Sequence, residues 1–405
     1  MSRARTIFVA IGLGGAAACG FDATLLTDPP VPAPTTSTSD GGDVTFADAS
    51  PMTVVATTVS AGQYFSCALA HEQAFCWGGN ALGALGTGDL ATHATPTAVL
   101  TDARFAALAL GENHGCGLEA TTGGVLCWGA GASGQLGLGD TALHLSPQRL
   151  ASLAPAAQIT VGFNHSCAVL RDGSLWCWGE NSESQLGQGP DDLANATEPR
   201  RVETASDWRM VAGGQGHTCG IREPGSLWCW GRNTTGQAGL GAGAPGRLVV
   251  PTRVGTADDW LTLEVGQGNA CGIRGDGTLW CWGDTGTGAV YTPTRIGTDS
   301  DWTSVSTDVF TTCGIRAGGR LFCFGRNAEG QFGVGDTDAG TAPTATGTGA
   351  EWTAVAVGRL HVCAVTTAGS VRCSGRNDDG ELGVGDLERR DLFTEVAVAS
   401  ESPVR

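Results

Sequence analysis

Cysteine is the residue type through which this chain could do chemistry, and its spacing decides which chemistry. Fourteen of the fifteen cysteines form seven couples: Cys67 with Cys76, Cys116 with Cys127, Cys167 with Cys177, Cys219 with Cys229, Cys271 with Cys281, Cys313 with Cys323, and Cys363 with Cys373. The separation is 10 in five couples, 9 in the first and 11 in the second. Zinc sites use C-x2–4-C spacings, and none occurs. In "NHSCAVLRDGSLWCWG", Asn164 to Gly179, the couple straddles Arg171-Asp172-Gly173. Asp-Gly signals a hairpin because Gly accepts the positive φ a tight turn demands. A three-residue loop closed by Leu170 and Ser174, with Gly173 left-handed, sets Cys167 opposite Cys177. Opposed residues of an antiparallel pair lie about 4.5–5.5 Å apart, within the roughly 4.4–6.8 Å a disulfide tolerates. The two exceptional spacings match loops one residue shorter and longer, as paired strands require. Seven disulfide-riveted hairpins are therefore predicted.

The other reactive side chains form no constellation. His114, His165, His217 and His361 share one repeat position, two before the first cysteine, where Phe65, Asn269 and Thr311 stand in other units. Coordination of one metal needs atoms about 2 Å from it, and equivalent positions on successive units lie too far apart. These histidines are read as polar ties to adjacent loop backbone within each unit. Trp178, Trp230 and Trp282 precede Gly and are read as packing against the next unit. Asp276-Gly277 reads as a turn; Asp140, Asp336 and Asp386 are the loop carboxylates that calcium could use. "GLGAGAPG", Gly239 to Gly246, lacks the strand-to-helix context of a phosphate loop and reads as a surface loop. No catalytic residue, metal or cofactor is expected.

The elements that position these residues repeat about every 50 residues. Each unit holds a "DWxxV"-like strand (Trp208, Trp260, Trp302, Trp352), a "GxxHxC" strand, the hairpin return, a Gly-rich loop such as "GQLGLGD", and a "PTRV"-like strand (Pro251 to Val254, Pro293 to Ile296). Four short strands per unit suit a propeller blade, and seven units suggest a closed ring. The fifth unit is short after Trp282, so a trimmed loop with the blade retained is expected. The terminal stretches "FTEVAV" and "VVATTVSAG" read as strands whose joining would remove open edges.

The unit "GFNHSCAVLRDGSLWCWGENSESQLGQG" and its six relatives resemble the repeats of the regulator-of-chromosome-condensation family, from Val54 to roughly Val398. The resemblance implies an all-β, seven-bladed β-propeller. Nuclear members exchange guanine nucleotide on a GTPase and dock on chromatin. A light-sensing branch carries Trp after the Gly of a "GWRHS/T"-like motif, where this chain has Glu112, Phe163, Gln215, Gln267 and Arg359. The paired cysteines depart from the nuclear pattern and suit an oxidising compartment.

"MSRARTIFVAIGLGGAAAC" sets two arginines before an apolar run too short to span a membrane. It resembles a bacterial lipoprotein signal, which implies residues 1–18 as a signal peptide and lipidation of Cys19, the unpaired cysteine. An ordinary secretion signal with an incidental cysteine is the alternative. Gly20 after Cys19 favours the outer membrane by the same resemblance. Residues 19–52, rich in Pro, Ser, Thr and Asp, read as a flexible linker, and 53–405 as the propeller.

Net charge is −17, and all 23 basic residues are Arg. Nucleic-acid affinity rests on neutralising phosphates, so no nucleic-acid partner is expected. Arg200, Arg201, Arg389 and Arg390 read as solvated loop charge. The leading expectation is a monomeric, non-enzymatic, membrane-anchored extracytoplasmic propeller that binds an unidentified protein or glycan through face loops. The variable stretches "PDDLANATEPR", "GAGAPGRLV" and "TDAGTAPTATGTGAE" are where such binding would be encoded. A passive cell-envelope protein is the alternative; guanine-nucleotide exchange needs a cytosolic or nuclear GTPase and fits an exported chain poorly.

Overall fold

A computed structural model describes residues 55–397 apart from 191, 287 and 348. The expected signal peptide, Cys19 and the linker lie outside the described residues. The chain forms seven four-stranded antiparallel sheets, each in simple consecutive order. The seven blades span 58–98, 105–149, 156–202, 208–253, 260–295, 302–346 and 352–395. First strands line a central channel, and fourth strands form the outer edges. The architecture is the all-β, seven-bladed propeller that the repeats imply. Blade 5 keeps four strands, with only 285–288 between its third strand Leu279–Asp284 and its fourth Ala289–Arg295.

The hairpin geometry follows the loop lengths. In blade 3, Leu170 N–H donates to Ser174 O at 2.9 Å, Gly173 N–H donates to Leu170 O at 2.9 Å, and Gly173 has φ 76°. Cys167 is paired with Cys177 in register. In blade 1 the two-residue turn His71-Glu72 has φ of 50° and 64°, the left-handed pair a two-residue hairpin turn demands. All seven couples are disulfide-bonded across the second and third strands, with Cα atoms 4.0–4.1 Å apart. That lies just below both the spacing of an unbridged pair and the range usual for a disulfide.

Blades are joined by side chains that cross from one to the next. Trp178 Nε1 donates to Gln135 O at 2.9 Å, Trp230 to Gln185 O at 2.8 Å, and Trp282 to Gln237 O at 2.9 Å. Each acceptor lies in the Gly-rich loop of the preceding blade, so the indoles face backward along the chain and not toward the next unit. Trp77 closes the ring by donating to Glu381 O of blade 7 at 2.9 Å. Blade 5 lacks the loop that supplies this carbonyl, and blade 6 carries Phe324 at the indole position. Phe has no donor to leave unsatisfied there.

The histidines also act between blades. His114, His165 and His361 Nε2 meet the hydroxyls of Ser166, Thr218 and Ser66 in the following blade at 3.1, 2.9 and 2.7 Å. This corrects the reading of ties within each unit. The hydroxyls in turn donate to the same loop carbonyls, Ser166 to Gln135 O at 2.9 Å and Thr218 to Gln185 O at 2.8 Å. His217 faces Ala270, which has no hydroxyl; neither ring nitrogen is hydrogen-bonded, and the nearby Asn269 backbone falls outside bonding geometry. Burial holds His114 and His217 down at about 3 and His165 and His361 at about 4, so these imidazoles are neutral at neutral pH.

Ring closure corrects the expected joining of terminal strands. Blade 1 and blade 7 each complete their own sheet. They close by face packing, with Ala56, Val59, Ala68 and Trp77 against Val365, Val371, Leu382 and Val396. The outer edges are blunted instead by Pro96, Pro147, Pro199, Pro251, Pro293 and Pro343, one in the fourth strand of six blades. Proline removes a donor from an edge strand and discourages pairing with another chain.

Replacing Cys271 and Cys281 together by Ala should cost roughly 2–3 kcal/mol, the loop-entropy value for an eleven-residue ring, with the circular-dichroism spectrum kept; thermal denaturation reads this. Ala270→Ser supplies the missing partner for His217 and should stabilise by about 1 kcal/mol, seen as a raised Tm against the parent.

Candidate functional site

The first strands and the loops that follow them build a channel with a polar mouth. A Gly directly follows the first strand in six blades (Gly62, Gly111, Gly162, Gly214, Gly266, Gly358), and Asp308 takes that place in blade 6, as the last residue of its strand. The reason for Gly is close approach: a Cβ at Gly162 would lie 2.3 Å from the His165 ring and 2.5 Å from Gly214 O. The next residues, Gln63, Glu112, Phe163, Gln215, Gln267, Val309 and Arg359, follow one another around the mouth; none is Trp. Backbone bonds link neighbours here, Gln63 N–H to Gly111 O at 3.2 Å and Phe163 N–H to Gly214 O at 3.0 Å. In blade 6 the Asp308 carboxylate replaces that carbonyl, accepting from Gln267 N–H at 3.2 Å and Val309 N–H at 2.8 Å. Val309 has φ 40°, a strained value for a β-branched residue.

Two residues deeper, the equivalent positions are Ser60, Ala109, Thr160, Ala212, Glu264, Ser306 and Ala356. The short hydroxyls serve the exposed inner edge of the next blade. Ser60 Oγ donates to Leu108 O at 3.0 Å, Gly213 N–H donates to Thr160 Oγ1 at 3.2 Å, and Val357 N–H donates to Ser306 Oγ at 3.0 Å. Glu264 is the exception in type and in bonding. The channel volume is about 270 Å³. Burial pushes Glu264 up to about 7 and Asp308 up to about 6. Both keep some accessible surface because they face the channel, yet protein surrounds them.

The mouth is tightened at the seam between blades 7 and 1. Gln63 bridges Glu112 and Arg359, its amide nitrogen 2.9 Å from Glu112 Oε1 and its oxygen accepting from Arg359 at 2.8 Å. Arg359 also bonds the Tyr64 hydroxyl, and Arg359 and Arg376 lie 5.6 and 5.8 Å from the Tyr64 ring centre. Glu381 stands where blades 2, 3, 4 and 6 have Gln135, Gln185, Gln237 and Gln331. It accepts from Asp379 N–H at 2.8 Å and lies 3.8 Å from Arg376. Burial, outweighing Arg376, raises it to about 7.

The Gly-rich loops share this face with the mouth. In each of five, an Asn staples the loop: Asn181 Oδ1 accepts from Leu186 N–H at 3.0 Å, and Asn377 Oδ1 from Leu382 N–H at 2.9 Å. Beyond the staple, Leu387, Leu90, Leu143 and Leu193 are 53, 49, 43 and 39% exposed. They sit in the corresponding loop of four consecutive blades, 7, 1, 2 and 3.

The remaining sequence candidates have structural partners. Asp140 caps Ala142 N–H at 2.9 Å, Asp336 caps Asp338 N–H at 3.1 Å, and Asp386 pairs with Arg390 at 2.5 Å. Arg200 pairs with Asp192 at 2.5 Å and Arg389 with Asp391 at 3.0 Å, while Arg201 bonds Thr204 O at 3.0 Å. No group of three or more His, Cys, Asp or Glu among the described residues could hold a metal. Glu264, Asp308 and the leucine row escaped sequence reasoning. Unit-by-unit comparison carries the signal for the two acids, since one replaces a recurrent Gly and the other stands among Ser, Thr and Ala.

Glu381 contributes stability at low pH that is lost as pH rises through about 7, because its folded value lies above the ordinary 4.5. Glu381→Gln should therefore gain on the parent between pH 5 and pH 8, by on the order of 2 kcal/mol; paired melting curves at the two pH values read the difference.

Comparison with known proteins places this geometry. The regulator of chromosome condensation (RCC1) repeat matches residues 122–169, 172–221 and 318–365, and a second description of that repeat matches 156–185, 210–237 and 352–381. Each of the longer matches runs from the third strand of one blade to the second strand of the next, so the sequence repeat is half a blade out of phase with the sheet. The chain is 28% identical over 238 residues to the ultraviolet-B receptor UVR8 of Arabidopsis thaliana, covering 57% of this chain and 53% of the receptor. It is 26% identical over 241 residues to the mitochondrial RCC1 domain-containing protein RUG3 of the same plant, covering 56% and 53%. The matched region thus spans about half the length of these curated relatives. Among solved structures, Prp20p of Saccharomyces cerevisiae superposes with a TM-score of 0.73 at 21% identity, over 84% of this chain and 87% of that one. Human WBSCR16 gives 0.71 at 20%, over 80% and 93%. The chain is thus a ring of seven blades that carries regulator of chromosome condensation (RCC1) repeats.

Proposed function

We propose that this propeller is a non-enzymatic interaction module that binds a protein partner on the face carrying the channel mouth and the Gly-rich loops. The observation that carries the reading is the row Leu387, Leu90, Leu143 and Leu193, exposed on four consecutive blades. Isolated exposed leucines are ordinary, but recurrence in the same loop of four adjacent blades puts repeated apolar contact points on one face, as a docking surface would need. Prp20p has binding properties toward Gsp1p and histones, and yeast RCC1 (Prp20) has been solved with Kap60 bound; both support a protein as the class of partner. A nucleic-acid partner is disfavoured by the net charge of −17 and by arginines already paired with aspartates.

The compartment is part of the proposal. Seven couples of cysteines, all bonded, suit a chain that is exported, lipidated at Cys19 and tethered by residues 19–52, in the cell envelope. A glycan ligand and a passive envelope role are the competing readings.

The test is site-specific photocrosslinking in intact cells, with the crosslinker at Leu143 or, near the start of a first strand at the other end of the channel, at Leu261. Discrete protein adducts at Leu143, absent at Leu261 and lost when Leu90, Leu193 and Leu387 are changed to Ser, are expected. Equal or absent adducts at both positions would leave the passive role standing. Protection from added protease after the outer envelope is permeabilised, with digestion only once the cytoplasm is released by lysis, would contradict export.

A further inference from the structure

We propose that the central channel is a binding site for an alkylammonium group, received by the carboxylate of Glu264 and carried either by a free small amine or by a lysine side chain of a docked peptide. The site is independent of the leucine row and lies inside the ring.

Glu264 stands in a layer otherwise made of Ser, Thr and Ala. Its counterparts Thr160 and Ser306 accept from Gly213 N–H and Val357 N–H on the next blade. The corresponding group opposite Glu264 is Thr307 N–H, and the carboxylate makes no bond to it. It has no hydrogen bond or ion pair with any described residue. A buried carboxylate without a partner is costly, and Ser or Thr at this position already satisfies the neighbouring edge in three other blades. The longer acid therefore brings a charge into the channel that the fold does not require.

The channel's chemistry selects the ligand. Its volume of about 270 Å³ admits an ammonium head with its alkyl chain. A divalent ion would want several oxygen ligands, and the described residues offer no cluster of three acids, histidines or cysteines. An ammonium carries three donors and no acceptor, which suits one carboxylate among hydroxyls and the inner-edge carbonyls of first strands. The charged groups on the neighbouring first strands are already engaged. Asp308 on blade 6 is held by the Gln267 and Val309 N–H groups, and Arg209 on blade 4 bonds the carbonyls of Trp260 and Leu261, at the far end of the strand from the mouth. At the mouth, Arg359 is tied to Gln63 and Tyr64. Binding would ionise Glu264, which burial alone holds at about 7, and release its proton to solvent. Affinity for the cation should thus rise with pH through neutrality.

The test is calorimetric titration of the purified propeller with methylammonium, with 1,4-diaminobutane, and with a short lysine-containing peptide blocked at its N-terminus. Tetramethylammonium, which has no N–H, is the control. The expected results are saturable binding of the amines, at least tenfold weaker binding of tetramethylammonium, tenfold or greater loss in Glu264→Gln, and tighter binding at pH 8 than at pH 6, with about one proton released at pH 6 and almost none at pH 8. Tighter binding of the peptide than of the diamine assigns the group to a partner's lysine; equal affinity assigns it to a free amine. No amine binding, or equal binding by Glu264→Gln, would overturn the proposal. Carboxyl NMR of the parent guards against a misfolded variant: the Glu264 titration should move down by a unit or more with diaminobutane, and an unmoved titration would also overturn it.

Discussion

A ring of seven wedges holds only if each wedge binds its neighbour, and here that bond converges on one carbonyl per loop. The Gln135, Gln185 and Gln237 carbonyls each receive an indole N–H from the following blade, and the first two also receive a hydroxyl. At the closing seam, the Glu381 carbonyl receives both Trp77 and Ser66. Five boundaries use an indole, and at the boundary of blades 6 and 7 the Ser374 hydroxyl donates to the Gln331 carbonyl at 2.9 Å instead. Where blade 5 drops the loop, blade 6 drops the indole and uses Phe324, and Phe310 of blade 6 packs over Gly286 in the shortened loop. The Gly-rich loop therefore has a structural duty at its base, set by the Asn staple, and freedom only in the segment beyond it. That division explains why the exposed leucines lie after the last glycine of the loop.

Disulfides and sockets stabilise different things. Each disulfide closes a hairpin inside one blade, which limits the unfolded chain locally and does nothing to keep blades together. Cohesion of the ring falls to apolar faces, indole sockets and neutral buried histidines, each insensitive to redox state. A chain so built can lose one blade's bridge without opening the ring. The seam between blades 7 and 1 uses the same parts as other blade boundaries, with Glu381 in place of Gln, and needs no strand exchanged between the ends of the chain.

Much of this was legible in the residues. Hairpin register followed from local turn chemistry: Asp172-Gly173 placed Cys167 opposite Cys177, and loop length accounted for the spacings of the first two couples. Blade count followed from repetition. The direction of the indoles and the partners of the histidines were not legible, because Trp178 and Gln135 are separated by 43 residues and His165 and Thr218 by 53. Only the ring order shows that such residues meet. The "PTRV"-like motifs carry the proline-blunted edges, but nothing in the terminal stretches "FTEVAV" and "VVATTVSAG" distinguishes an exchanged strand from the face packing that closes the ring. Glu264 and Asp308 were hidden for a different reason. A single acid in a strand or turn looks like solvated charge until the strand is known to face a channel.

The central claim is that neighbouring blades are locked by indole N–H groups seated in loop carbonyls. Hydrogen exchange of the tryptophan indoles, followed by NMR at neutral pH, tests it most directly. The account predicts that the indole protons of Trp77, Trp128, Trp178, Trp230 and Trp282 exchange only on global unfolding, while those of the half-buried Trp176, Trp228 and Trp280 exchange far faster. Rapid exchange of the first group in the folded protein would contradict the account.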